Sequence, residues 1–135
     1  MRVGMRPWAR RALTAGEIAL ARTIFAEQID YAAVHIFNAP LMPHGAMVPL
    51  GATIVHGAQW PPPTDFTADT LDRQAWFIHE MAHVWQAATG VTLAAAKLSA
   101  LGAGAYRVSL EPGRSFFDYN IEQQAEIARF LFLAR

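Results

Sequence analysis

The run Phe77–Gln86, "FIHEMAHVWQ", constrains this chain more than any other stretch, because it sets charged and polar side chains into an apolar helix. Trp76, Phe77, Met81, Val84 and Trp85 recur at helical spacing. The helix starts somewhere in 69–72, behind the loop "QWPPPTDFTADT", whose three prolines cannot continue regular structure. Gly90 stands where a C-terminal cap belongs. Residues four apart on such a helix lie one above the other on the same face, so His79 and His83 can both turn a ring nitrogen toward one ion. Glu80 lies about 100° further round. That is too far off to join the histidines as a ligand, but well placed to hold a water that the metal binds. This is the logic of His-Glu-x-x-His: two ligands and a general base on one helix, with the metal lowering the pKa of its water. Gln86 also falls on the histidine face. An amide is a poor zinc ligand, so Gln86 is expected to support the ligands rather than join them.

The chain has no cysteine, so disulfides and thiolate metal sites are both excluded. Any transition metal must be held by imidazole and carboxylate. With 11 basic and 11 acidic side chains the net charge is zero, and nothing suggests electrostatic binding to nucleic acid or anionic lipid. No transmembrane segment is expected, because Glu17, Arg22, Lys97, Gly102 and Gly104 interrupt the most apolar windows. No uninterrupted apolar run follows the basic start, so a cleaved signal peptide is not expected either. The expected compartment is the cytoplasm, or export by a machine that needs no cleaved signal. At 135 residues a single domain spanning 1–135 is expected. Apolar residues make up 53% and charged residues 16%, which leaves little polar surface and points to an exposed apolar patch, a partner or an oligomer of undetermined state.

Residues 1–13, with Arg2, Arg6, Arg10 and Arg11, read as an irregular basic arm. Thr14 and Glu17 have the spacing of a capping box, and Ile18, Ala21, Ile24 and Phe25 follow at helical period, which predicts a helix over about 15–28. "IDYAAVHIF" reads as a strand ending near Asn38. Over 45–57, Pro49 and Gly51 argue for an edge strand or for two short strands around a bulge or turn. Such an edge could accept an extended peptide by main-chain pairing. "TLAAAKLSALGAG" reads as a weaker helix, and "AYRVSLEPGRSFFDY" as a hairpin around Glu111-Pro112-Gly113. A last helix runs from about Asn120, its N-cap, to the C-terminus.

A catalytic zinc usually has three protein ligands and an open position. The last helix offers Glu122 and Glu126, four apart on one face. One can bind the metal while the other orients a histidine from behind, and Glu122 is favoured as the ligand. Gln123 and Gln124 are expected on the wet side. Tyr106 and Tyr119, flanking the hairpin, are candidates to donate to a developing oxyanion. His35, His44 and His56 lack partner spacing and read as structural, and Trp76 and Trp85 as core.

The helix "HEMAHVWQ", followed by "YNIEQQAEI", resembles the zincin-type domains called Vgr-related proteins of bacteria, found in the neighbourhood of type VI secretion and other contractile injection systems. "RRALTAGEIALARTIF", "IDYAAVHIF" and "WFIHEMAHVWQ" extend the likeness over most of the chain. The resemblance implies a glutamate-type zinc metallopeptidase-like site, with Glu122 as third ligand and Glu126 as its outer partner. The resulting expectation is an α+β fold, a minimal zincin-like domain with a small, partly antiparallel sheet packed on the His79/His83 helix and a C-terminal helix. The expected activity is zinc-dependent hydrolysis, with Glu80 activating water against a polypeptide substrate. The other reading is a non-catalytic zinc-binding accessory or adaptor of a secretion apparatus.

Overall fold

The capping box at Thr14 forms as its spacing predicts. In the computed structural model, which describes residues 3–42, 46–47, 52–90 and 108–135, the Thr14 hydroxyl accepts from Glu17 N and Glu17 accepts from Thr14 N. Helix α1, Ala15–Phe25, follows. It ends three residues before the expected limit because Ala26 turns to φ 51°, while its N–H still reaches Arg22 O. The Glu17 carboxylate is fully buried; it takes both terminal nitrogens of Arg11 at 2.8 Å and the Phe66 N–H at 2.8 Å. One side chain therefore caps α1, pairs with the basic arm and anchors the loop after the prolines. Glycine at position 16 lets α1 lie close to the loop after the prolines: a Cβ there would stand 2.8 Å from the Thr67 methyl group and push that side chain aside.

Among the described residues, four strands form a mixed sheet: β1 (Arg10–Ala12), β2 (His35–Asn38), β3 (Ala46–Met47) and β4 (Thr53–His56), in the order β1-β2-β4-β3. β1 and β3 run antiparallel to their neighbours, and β2 and β4 are parallel, with Ile36 opposite Ile54. Two expectations change. Arg10–Ala12 belongs to the sheet rather than to an irregular arm, because β2 supplies main-chain partners that no local pattern announces. The stretch 31–38 splits into a short 3₁₀ turn, Tyr31–Ala33, and a four-residue strand. The 45–57 region forms two short strands, with β3 at the edge and β4 inside the sheet.

Helix α2, Leu71–Ala88, is capped by Thr70 and ends before Gly90 at φ 99°. Helix α3, Ile121–Ala134, is capped by Asn120 and packs against α2. The core gathers Ile36 and Ile54 from the sheet, Phe66, Phe77, Ile78 and Met81, and Ala125, Ala128 and Phe132 of α3. These elements make a small α+β domain. No helix among the described residues is long and apolar enough to cross a membrane.

The predicted hairpin at 105–119 is replaced, in its described part, by a turn at Glu111–Arg114 and a 3₁₀ turn at Phe116–Asp118. The Asp118 carboxylate accepts from Ser115 N at 2.8 Å across that turn, and Phe116 lies against Trp85, so a local side-chain hydrogen bond and an aromatic contact outcompete strand pairing. The predicted helix at 92–104, Tyr106 and His44 lie outside the described residues.

His56 is fully buried between Trp60 and Trp76, with ring centroids 4.3 and 5.0 Å away, and its Nδ1 hydrogen goes to Gly57 O. Burial pushes its pKa down to about 4. The neutral ring thus belongs to the folded state, and the unfolded chain binds a proton first as the pH falls. Stability should be intact above pH ~6.5 and decline toward pH ~4, by about 3 kcal/mol from this group. Urea midpoints for wild type and His56→Phe should diverge over that window, with the variant relatively more stable at the acid end. Parallel midpoints would show that His56 is not the group responsible.

Candidate metal centre

α2 brings His79 and His83 to one face, with ring centroids 5.2 Å apart. The facing surface of α3 presents Glu122 between them: Glu122 Oε1 lies 2.7 Å from His83 Nε2 and 3.5 Å from His79 Nε2. All three side chains are buried, and their ligand-capable atoms lie within 4.8 Å of one another. The opposite ring nitrogens are tied down. His79 Nδ1 is 2.8 Å from Glu126 Oε2, and His83 Nδ1 is 2.8 Å from Gln86 Oε1. The Gln86 amide nitrogen donates to Ile121 O and Gln124 Oε1, both at 3.0 Å, so its oxygen is the end that faces His83.

These contacts fix the chemistry of the cluster. Each imidazole gives its Nδ1 hydrogen to an acceptor behind it, which leaves the Nε2 lone pair turned toward the Glu122 carboxylate. Two lone pairs facing a carboxylate in a buried site demand positive charge between them. A proton meets that demand on His79: burial favours the neutral ring, but hydrogen bonds to Glu122 and Glu126 and the nearby Glu80 charge raise its pKa to about 9. The same hydrogen bond with His79 holds the Glu126 carboxyl below its ordinary pKa. Two imidazole nitrogens and one carboxylate oxygen, each backed by an outer partner, also fit a divalent ion. The cluster His79, His83 and Glu122 could therefore hold a metal.

Glu80 is buried at the next position on α2 and outside this trio. Of the two α3 carboxylates, Glu122 meets both Nε2 atoms and Glu126 meets the far side of His79. Gln86 stands behind His83. The Tyr119 hydroxyl is engaged elsewhere: it donates to Ser109 O at 3.3 Å and accepts from Glu111 N at 3.2 Å, bracing the preceding loop. Gln124, expected on the wet side, is buried and bonded to Gln86 and to Tyr119 O. Its position on the α2-facing side follows from its spacing to Ile121 and Ala128, an i, i+3, i+7 pattern that the sequence already contained.

No protein-family model matches the chain. It is 39% identical over 137 residues to the type VI secretion system spike protein VgrG2b of Pseudomonas aeruginosa, an alignment covering 94% of this chain and 13% of that protein. The chain thus spans only a small part of this curated relative's length. It is also similar to the solved effector domain of Pseudomonas aeruginosa VgrG2b, with 36% identity and a TM-score of 0.78, over 97% of this chain and 78% of that domain. Since both sequence and fold agree over nearly all of its length, the chain belongs to the family of the VgrG2b effector domain.

Proposed function

We propose that this domain is a zinc-dependent hydrolase of the metallopeptidase type, a minimal zincin-like domain in which His79, His83 and Glu122 hold Zn²⁺ and Glu80 is the general base. The observation that carries the reading is the convergence of two Nε2 atoms on Glu122 while both Nδ1 atoms lie 2.8 Å from side-chain oxygens behind them. Zinc bound there would act as a Lewis acid, polarising a substrate carbonyl and acidifying water beside it. Glu126 and Gln86 keep the two imidazoles turned inward, so the ligand set is organised before the ion arrives. The Glu80 carboxylate accepts the proton of the attacking water and returns it to the leaving amine nitrogen. Buried near His79, Glu80 works in surroundings where a charge on its neighbours is strongly felt. The likeness to an effector domain of a spike protein supports delivery by a type VI apparatus, with a spike protein as carrier and a polypeptide as substrate.

Metal analysis of purified protein, together with hydroxamate binding, tests this reading. One zinc per chain and stoichiometric binding of a hydroxamate are expected, since three protein ligands leave a position open. A tightly held zinc that ignores hydroxamate, and whose removal unfolds the domain, would instead mark a structural metal in a non-catalytic accessory protein.

A further inference from the structure

Behind His83 lies a chain of hydrogen bonds that no ligand-spacing argument requires. His83 Nδ1 gives its hydrogen to Gln86 Oε1, Gln86 Nε2 donates to Gln124 Oε1, and Gln124 Nε2 donates to Tyr119 O. Gln86 is fully buried and Gln124 nearly so. A glutamine amide has two ends of similar size and opposite hydrogen-bonding character, so a buried Gln86 needs something to decide which end meets the histidine. The Ile121 carbonyl and Gln124 Oε1 both accept, and both draw the Gln86 NH₂ group to themselves. Gln124 is set in turn, because its own NH₂ is committed to the Tyr119 carbonyl and only its oxygen can face Gln86.

We propose that Gln124 is a positioning residue for the metal centre. By orienting the Gln86 amide, it holds the His83 hydrogen on Nδ1 and keeps Nε2 facing Glu122. Without it, Gln86 has one fewer acceptor holding its NH₂ group away from His83. A flipped amide would present a donor to Nδ1 and favour the ring form that cannot offer Nε2 to a cation. Tyr119 sits at the head of the chain, and its hydroxyl grips Ser109 and Glu111, so the loop before α3 is tied to the same device.

The inference rests on the zinc reading above, and two measurements on the full chain keep the two apart. Zinc affinity of Gln124→Met, measured by chelator competition, should fall about 10-fold, the lower end of the range for outer partners of a metal-bound histidine. Gln124→Glu still accepts from Gln86 and should keep most of the wild-type affinity. Nitrogen-15 spectra of the metal-free protein supply a signature that general loosening of α3 would not produce. His83 should show one ring state in wild type and Gln124→Glu, and two exchanging states in Gln124→Met. A folded Gln124→Met with wild-type zinc affinity and a single ring state would overturn the proposal. If that variant does not fold, metal-free wild type decides: its His83 ring must carry the hydrogen on Nδ1, where Gln86 Oε1 accepts it, and a ring with its hydrogen on Nε2 alone overturns the idea. Wild-type protein that takes up no zinc would sink the metal reading, while the spectra would still decide the role of Gln124.

Discussion

Glu80→Gln should keep the full metal content of the wild-type protein and lower hydrolysis of an unstructured polypeptide by about 100- to 10,000-fold, the usual contribution of a general base. The substitution keeps size and shape and removes only the ability to take up a proton. Glu80 stands outside the trio of ligand-capable atoms, so its loss leaves the donor set His79, His83 and Glu122 untouched. His83→Ala is the contrast, since it deletes one of those donors and should lose the metal. Inductively coupled plasma analysis and a cleavage assay on the same preparations separate the two outcomes. Equal loss of metal in both variants would mean that Glu80 is a ligand. Undiminished cleavage in Glu80→Gln would mean that the base lies elsewhere.

Glu122→Ala and Glu126→Ala should divide the two α3 carboxylates by magnitude. Glu122 Oε1 approaches both inward nitrogens, so under the proposed zinc reading its removal takes away a ligand and the acid that both histidines share among the described contacts. Zinc should bind more than about 100-fold more weakly, beyond the range seen when only an outer partner is lost. Glu126 touches His79 from behind, at Nδ1, and its removal should fall within that range, at roughly 10- to 100-fold. Competition with a chelator of known affinity measures both on one scale. Stoichiometric zinc in Glu122→Ala together with its loss in Glu126→Ala would reverse the assignment and make Glu126 the ligand.

Much of this arrangement could be read before any coordinates. A 3.6-residue period puts His79 and His83 on one face, and the same period puts Glu122 and Glu126 on one face of the last helix. The capping residues Thr14 and Asn120 announce where α1 and α3 begin, because a side-chain oxygen reaching a backbone N–H three residues on is local chemistry. Gly90 likewise takes up the left-handed backbone expected after α2.

What failed to show in the sequence depended on partners distant along the chain. Arg10–Ala12 has no pattern of its own and becomes a strand only because β2 lies beside it. The stretch after Glu111 contains strand-like residues, yet Phe116 meets Trp85 and Ser115 pairs with Asp118, and the chain coils instead. For Gln124 the spacing to Ile121 and Ala128 puts it on the apolar face of α3, but only the packing of α3 on α2 decides that Gln86 is the side chain it meets there. The sequence by itself determined the donor types, the helices that carry them and the face on which each pair stands, because helix periodicity and end-capping act over a few residues. Only the tertiary structure decided that Glu122 meets both Nε2 atoms while Glu126 takes an Nδ1, since that choice depends on the rotation and offset of two packed helices. Side-chain spacing within either helix leaves both quantities undetermined.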